Sequence, residues 1–556
     1  MTTQGVLALD TAAQRKARGA FFTPPELCRY LVDWAVRKPT DHVLEPSCGE
    51  AAFLLAAAER LAVLGGDTAA LHGIELHPPS AEAASQLLRE AGHASRVRAA
   101  DFFTVTPEPV FDAVVGNPPY VRYQEFTGAS RARARLAASR AGVDLSGLAS
   151  SWAPFTVHAA LFLKAGGRLG LVLPAELLST NYAAGVRRFL MRRFGRVRLL
   201  MFSERVFGPV LEEIVLLLAE GEGPADRCEV VQLATVDDLR DCVHAVQGWR
   251  PVDAAAKWTP ALLPARALQT YEGATSDAAF TTLRDWGETK LGAVTGNNRY
   301  FALTRGEASA RGLSDEELLP ISPPGSRHLR GLSFDPAGWE TAAASGARAL
   351  LFRPPGPPSL RARTYIGDGE RGSVHTAYKC RVRTPWWRVP LSAPADLLLT
   401  YMNADTPRIT TNGAGVHHLN SIHGVYLGPD LRGLGREVLP LGSLNTVTLL
   451  GAELVGRAYG GGMLKLEPGE ADCLPVPAPA ALRGARARLL ALRDRVDGEL
   501  RGGRLLAAVH LIDMALLVSE LGMSPRQVAA LAAARETLFA RRMARSGNRL
   551  AAAVVP

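Results

Sequence analysis

The chain has few cysteines, and none stands in a pattern that metal or redox chemistry uses. Its 556 residues hold six, Cys28, Cys48, Cys228, Cys242, Cys380 and Cys473, with no CxxC and no paired Cys/His spacing. That excludes an evident zinc module, so no metal site is expected, and it suits a reducing compartment. No apolar run reaches the roughly 18–20 residues that cross a bilayer. The opening MTTQGVLALDTAAQRKARGA holds no apolar signal core, so a cytoplasmic protein without a membrane partner is expected. Internal repeats are missing too. Neither sign of charge dominates: 63 Lys and Arg against 54 Asp and Glu leave +9, a surplus that suits a polyanionic partner without requiring one. What is present is a globular balance, 47% hydrophobic and 21% charged, which excludes a mostly disordered chain. The length calls for two or three domains.

Short apolar runs alternate with helical periods through the first half. The pattern predicts strands at His42–Glu45, Leu71–Glu75, Arg96–Ala99, Phe111–Gly116 and Arg168–Leu173, and helices over Ala51–Leu64 and Pro79–Ala91. Such alternation predicts an α/β fold with a parallel sheet covered on both faces. Ligands of these sheets bind beyond the carboxyl ends of the strands, where Glu45, Glu75, Asp101 and Asn117 are expected. After about Gly248 the pattern breaks. PVDAAAKWTPALLPAR (251–266) reads as a linker, and Gly/Pro punctuation then interrupts the strands. From about Ala480 the chain is Leu/Ala/Arg-rich, as amphipathic helices are. The expected division is 1–248, 249–480 and 481–556.

Asn117-Pro118-Pro119-Tyr120 follows the apolar run FDAVVG. An exocyclic amine on an aromatic ring is a poor nucleophile, because its lone pair is delocalised. The Asn117 side-chain oxygen and the Pro118 backbone carbonyl are suited to accept its two N–H hydrogens and favour a pyramidal nitrogen. Two prolines stiffen the turn, and Tyr120 offers a ring on which a flat base can stack. Asn and Pro also build plain turns. Glu45-Pro46-Ser47-Cys48-Gly49 is a small-residue turn opening a helix, suited to close approach of a ligand. Glu75 is placed to accept from ribose hydroxyls, and Asp101 from an adenine amino group, with Phe102 packing on its ring. Each acid alone equally suits a helix cap.

These motifs, in this order, resemble the gamma-class N6-adenine DNA methyltransferases of restriction–modification systems, the TaqI type. The resemblance covers the first ~220 residues closely. It implies a Rossmann-like, seven-stranded, mostly parallel methyltransferase sheet that binds S-adenosylmethionine, followed by a mixed α+β DNA-recognition domain and a helical C-terminal segment. Phe22, Thr23 and Pro24 match the family's Thr-Pro-Pro turn over the methionine part of the cofactor. Glu45, Ser47, Cys48 and Gly49 match the cofactor turn, and Ile74-Glu75 and Asp101-Phe102 the ribose and adenine positions. Asn117, Pro118, Pro119 and Tyr120 match the catalytic loop. Phe207 matches an aromatic residue that stacks on a flipped adenine, though a Phe there also suits a core. Cys48 reads as a packing residue, since N6 methylation needs no covalent enzyme intermediate. In the second half, Thr295–Phe301 and Tyr459–Leu466 resemble elements of the recognition domain. Arg381, Arg383, Trp386, Trp387 and Arg388 alternate basic and aromatic groups, suited either to DNA contact or to a strand with a solvated basic face. The expected substrate is double-stranded DNA, methylated by a monomer beside a separate cognate endonuclease. Protein-glutamine N5-methyltransferases share the NPPY loop and are the alternative, but they lack a large basic C-terminal half.

Overall fold

The apolar runs of the first half all become strands in the computed structural model, which describes residues 23–94, 96–202, 213–240, 246–251 and 253–544. They are β1 (Val43–Glu45), β2 (Leu71–Glu75), β3 (Arg96–Ala99), β4 (Phe111–Gly116), β5 (Leu163–Pro174), β6 (Arg196–Phe202), β7 (Ile214–Glu220), β8 (Cys228–Leu233) and β9 (Gln247–Trp249). One sheet holds all nine, in the order β3-β2-β1-β4-β5-β7-β6-β8-β9. β3, β2, β1, β4 and β5 are parallel neighbours, as are β6 and β8, while β7 runs antiparallel between β5 and β6. The expected seven strands are thus nine. Cys228, Val230, Val231 and Leu233 are buried as β8 pairs along β6, and β9 closes on β8. A family resemblance conveys the shared sheet, not strands added at its edge.

Strand order reverses between β1 and β4, which places the loops after β1, β2 and β4 side by side. Such a reversal opens the crevice in which open α/β sheets bind ligands. The central strands are apolar on both faces because helices cover both; Ala113, Val114 and Val115 of β4 and Leu171, Val172 and Leu173 of β5 have no exposed surface. Helix Pro25–Ala35 starts on a proline, whose missing N–H costs nothing there. It buries Leu27, Cys28, Leu31, Val32 and Ala35 against β4 and β5. Helix Ala52–Leu64 leaves the β1 turn and buries Phe53, Leu54, Ala57 and Leu61.

The chain forms two compact units, Met1–Leu263 and Pro264–Pro556. The stretch read as a linker largely belongs to the first: Trp258 and Leu263 have no exposed surface, the Trp258 N–H donates to the Leu178 carbonyl, and the buried Arg187 guanidinium donates to the Ala255 carbonyl. The second unit is mixed α+β. Its largest sheet orders Gly287–Leu291, Ile422–Leu427, Leu397–Thr400, Ile409–Asn412 and Ser333–Phe334. The helices from Pro479 to Ala544 belong to this unit, Pro525–Ala544 packing on Thr446–Val455 and Ala265–Ser276. Among the described residues no single helix is long and apolar enough to cross a membrane.

Candidate active site

The turn after β1 is tied to the end of β2 by two hydrogen bonds, and a third fixes the Glu75 carboxylate from its own side. The Cys48 N–H donates to the Ile74 carbonyl (3.0 Å), the Gly49 N–H to Glu75 Oε2 (2.9 Å), and the His77 N–H to Glu75 Oε1 (2.9 Å). Gly49 lies at φ +48° with open space where a Cβ would stand. Ala51, at φ +65°, is a left-handed residue that carries a side chain, a conformation that favours glycine. Glu45 faces inward. It is 2% exposed, and its Oε2 accepts from the Leu54 N–H (3.1 Å) at the start of the following helix. Burial pushes its carboxyl well above the usual range, and the Glu75 charge adds to this. Glu45 therefore supports the turn from below. Cys48 is buried, and desolvation pushes its thiol far up, so it is inert packing. Ile74 is buried in β2, while Leu76, directly after Glu75, is 68% exposed. The exposed apolar side chain beside this strand-end acid is thus Leu76, next to the Ile74 that the resemblance implies.

Asp101 caps a short turn after β3. Its Oδ1 accepts from the Phe103 N–H (3.0 Å), and its Oδ2 from Arg133 Nε (2.9 Å), on helix Gly128–Ser139. Phe102 does not offer its ring to a ligand. It is 4% exposed and packs among Phe155, His158 and Phe162, with centroids at 4.7, 4.6 and 5.2 Å. Burial lowers the His158 pKa to about 4, so the ring is neutral, and its Nε2 faces the Phe102 and Val105 carbonyls at 3.1 and 3.2 Å. Those acceptors require the proton on Nε2, which fixes the turn that presents Asp101.

The loop after β4 is held at both ends. Ser47 Oγ donates to the Asn117 carbonyl (3.3 Å), Ser151 Oγ donates to the Pro119 carbonyl, and the Val121 N–H donates to Ser151 Oγ (2.9 Å). The Tyr120 hydroxyl donates to the Val172 carbonyl (2.9 Å), which ties a ring only 8% exposed to β5. Asn117 Nδ2 donates to Thr23 Oγ1 (3.1 Å). Its Oδ1 is buried and has no hydrogen-bond partner among the described residues. Pro118 is buried. Phe22 and Phe207 lie outside the described residues.

In the second unit, the segment from Tyr378 to Arg388 is not a basic strand. It forms a four-residue helix, Tyr378–Arg381, and then a turn. Arg383 lies over the Phe301 ring (5.4 Å) and donates to the Thr295 carbonyl; its Nε and Nη1 are buried. Arg388 donates to the Pro355 carbonyl (2.9 Å), and Trp386 and Trp387 pack against two apolar clusters. Arg381 and Arg388 are both exposed, Arg388 held by that bond and Arg381 set over Tyr378 (6.0 Å). A cavity of about 300 Å³ nearby is lined by Asn297, Arg299, Tyr300, Arg311, Tyr365 and Asp368, among others.

The cradle fits S-adenosylmethionine: open space above Gly49, a strand-end carboxylate with unused lone pairs, an exposed Leu76 beside it, and an unpartnered buried acceptor at the next loop. Residues 5–223 match the N-6 DNA Methylase family model, and residues 255–517 match the C-terminal domain of type II methyltransferase M.Eco57I. The chain is similar to the type II methyltransferase M.XamI of Xanthomonas campestris pv. amaranthicola, 26% identical over 500 residues that cover 86% of this chain and 88% of that protein. It is also similar to M.AccI of Acinetobacter calcoaceticus, 20% identical over 466 residues covering 82% and 84%. The type IIL restriction-modification enzyme MmeI, solved in complex with DNA, shares the fold at TM-score 0.60 and 12% identity, over 96% of this chain and 81% of that one. Strands β1 to β7 and the NPPY loop lie within the first match and residues 264–517 of the second unit within the other, which makes the chain a homologue of the type II DNA methyltransferases with an N-6 DNA methylase region at 5–223.

Proposed function

We propose that this protein methylates the N6 amino group of adenine at a specific sequence in double-stranded DNA, taking the adenine out of the duplex to do so. The observation that carries this reading is the buried, unpartnered Asn117 Oδ1 at the end of β4. A desolvated acceptor with no protein donor costs about 1–3 kcal/mol, and a substrate N–H removes that cost. S-adenosylmethionine, when bound, supplies a methyl group on a positively charged sulfur. Glu75 holds the ribose hydroxyls, Asp101 accepts from the cofactor's adenine amino group, Leu76 covers its ring, and Thr23 and Pro24 lie over the methionine end. Asn117 Oδ1 and the Pro118 carbonyl accept the two N–H hydrogens of the target adenine, which localises the nitrogen lone pair toward the methyl group. The N6–methyl bond forms as the sulfur–methyl bond breaks, and the cationic nitrogen then gives its extra proton to water, the two amide oxygens being hydrogen-bond acceptors and not bases. Tyr120 walls the base pocket, and the resemblance gives Phe207 the opposite wall. An adenine inside a duplex cannot reach a loop at a strand end, so the base must be extruded.

Sequence readout belongs to the second unit, in the gamma-class order of cofactor motifs, catalytic loop and recognition domain. The protein acts in the bacterial cytoplasm as a monomer, as the modification partner of a separate restriction endonuclease. Relatives that match over most of the chain are type II methyltransferases, which disfavours glutamine methylation. The test is expression in a host without adenine methylation, followed by methylation-sensitive sequencing. N6-methyladenine is expected at one motif with the wild-type chain and at none with Asn117→Ala. An unmodified genome with folded wild-type protein overturns the reading.

A further inference from the structure

We propose that Thr23 is a positioning residue for methyl transfer, acting through the Asn117 carboxamide. This rests on the reading of Asn117 as acceptor for the target amino group. The Asn117 backbone is already fixed by Ser47 on its own carbonyl, and the loop beyond it by Ser151 on the Pro119 carbonyl. The freedom left to Asn117 is rotation of its amide, a broad and nearly two-fold torsion. One orientation presents Oδ1 to the target amine. The other presents Nδ2, a donor facing a donor, with no lone pair to offer.

Thr23 selects between them. Its Oγ1 stands 3.1 Å from Nδ2 and accepts from it, which turns Oδ1 to the position where it has no protein partner. Thr23 is itself immobilised: it is 5% exposed, its carbonyl faces Cys28 Sγ at 4.0 Å, and it is followed by Pro24 and by Pro25 of helix Pro25–Ala35. A hydroxyl 94 residues away in sequence thus sets the polarity of the catalytic amide. The resemblance gives Thr23 a place over the cofactor; the geometry gives it a second task that a cofactor contact does not require.

The experiment compares Thr23→Val, Thr23→Ala and Thr23→Ser with wild type in single-turnover methylation of a duplex carrying the motif. Cofactor affinity is measured by calorimetry on the same preparations, with thermal melting as a check on folding. Valine keeps the shape and removes the acceptor; alanine is the second variant should valine fail to fold. Misorientation of a reacting group costs about 10–100-fold in rate, so that loss is expected in Thr23→Val and Thr23→Ala at saturating cofactor, well beyond any accompanying fall in cofactor affinity. Thr23→Ser, which restores the oxygen, is expected to recover most of the rate. A wild-type rate in Thr23→Val overturns the proposal. So does a rate loss matched by an equal loss of cofactor affinity, which makes Thr23 a cofactor contact alone. Asn117→Ala, run alongside, separates the two levels: a wild-type rate there removes the reading of Asn117 itself.

Discussion

Both carboxylate oxygens of Glu75 already accept a backbone N–H, from Gly49 and from His77. An ionised carboxylate has about four acceptor positions, so the bonds that fix the group leave two for the hydroxyls of a ribose. Glu75→Ala removes these acceptors and also unties the turn at Gly49. It is expected to weaken S-adenosylmethionine binding by about 10–100-fold, the worth of one or two hydrogen bonds to a charged group. Glu75→Gln is not expected to rescue, because its amide turns an N–H toward one of the two backbone donors. Calorimetry on both variants decides, and undiminished affinity in either takes Glu75 out of the site. The acids and the NPPY loop were legible because apolar runs mark where strands end, and a polar residue just past such an end has few other places to be. Which neighbouring side chain faces inward was not legible. Phe102 is claimed by Phe155 and Phe162, more than fifty residues away, and Arg383 by Phe301 and the Thr295 carbonyl. Long-range packing decides those orientations, and no local pattern carries it.

At the scale of elements, the same difference separates the two halves. β4 and β5, of six and twelve residues, each contain a continuous apolar run followed by a loop, so their pattern shows in the sequence. Most strands of the second unit have only two to four residues, too short for a period, and Tyr378–Arg381 became a helix where alternation suggested a strand. The C-terminal helices were legible as helices, but what fastens them was not. Asp513, in the helical stretch Asp513–Val518, accepts from the Thr446 N–H (2.8 Å) and hydroxyl (2.6 Å) and so holds the first turn of helix Thr446–Val455. It is 5% exposed, and burial pushes its pKa up to about 6 against the pull of those hydrogen bonds. A carboxyl raised in the folded state binds more protons folded than unfolded. Its contribution is therefore complete below the ordinary Asp range and is lost as pH rises through about 6. Asp513→Asn keeps an acceptor for the Thr446 N–H and cannot ionise. Urea unfolding at pH 4.5 and 7.5 is expected to show a fall in wild-type stability that the variant lacks, on the order of 2 kcal/mol. Equal pH dependence in both proteins means that Asp513 does not titrate in this interval.

On the proposed reading the two units divide cofactor and target base from the reading of flanking sequence, and the arginines of the second unit separate into two kinds. Arg383 and Arg388 are spent on backbone carbonyls of their own unit, so their charge fixes loops. Arg299 and Arg381 are exposed and make no ion pair among the described residues. Arg299 also lines the 300 Å³ cavity with Arg311, whose guanidinium lies over the Tyr365 ring (5.2 Å), while the one carboxylate there, Asp368, is paired with Arg371. A positively charged concavity whose acid is already neutralised suits a DNA phosphate. A protein that loses one phosphate contact loses about one counterion's worth of salt dependence. Arg299→Ala and Arg381→Ala are therefore each expected to flatten the slope of log affinity against log salt by about one unit, at constant melting temperature and with the methylated motif unchanged. Arg383→Ala should do the reverse, lowering the melting temperature while leaving the slope alone, because the charge it removes is held against the Phe301 ring and the Thr295 carbonyl. If Arg383→Ala instead relaxes the motif at one base pair in a fully folded protein, this arginine reads DNA after a rearrangement, and the loop it pins is the part that moves.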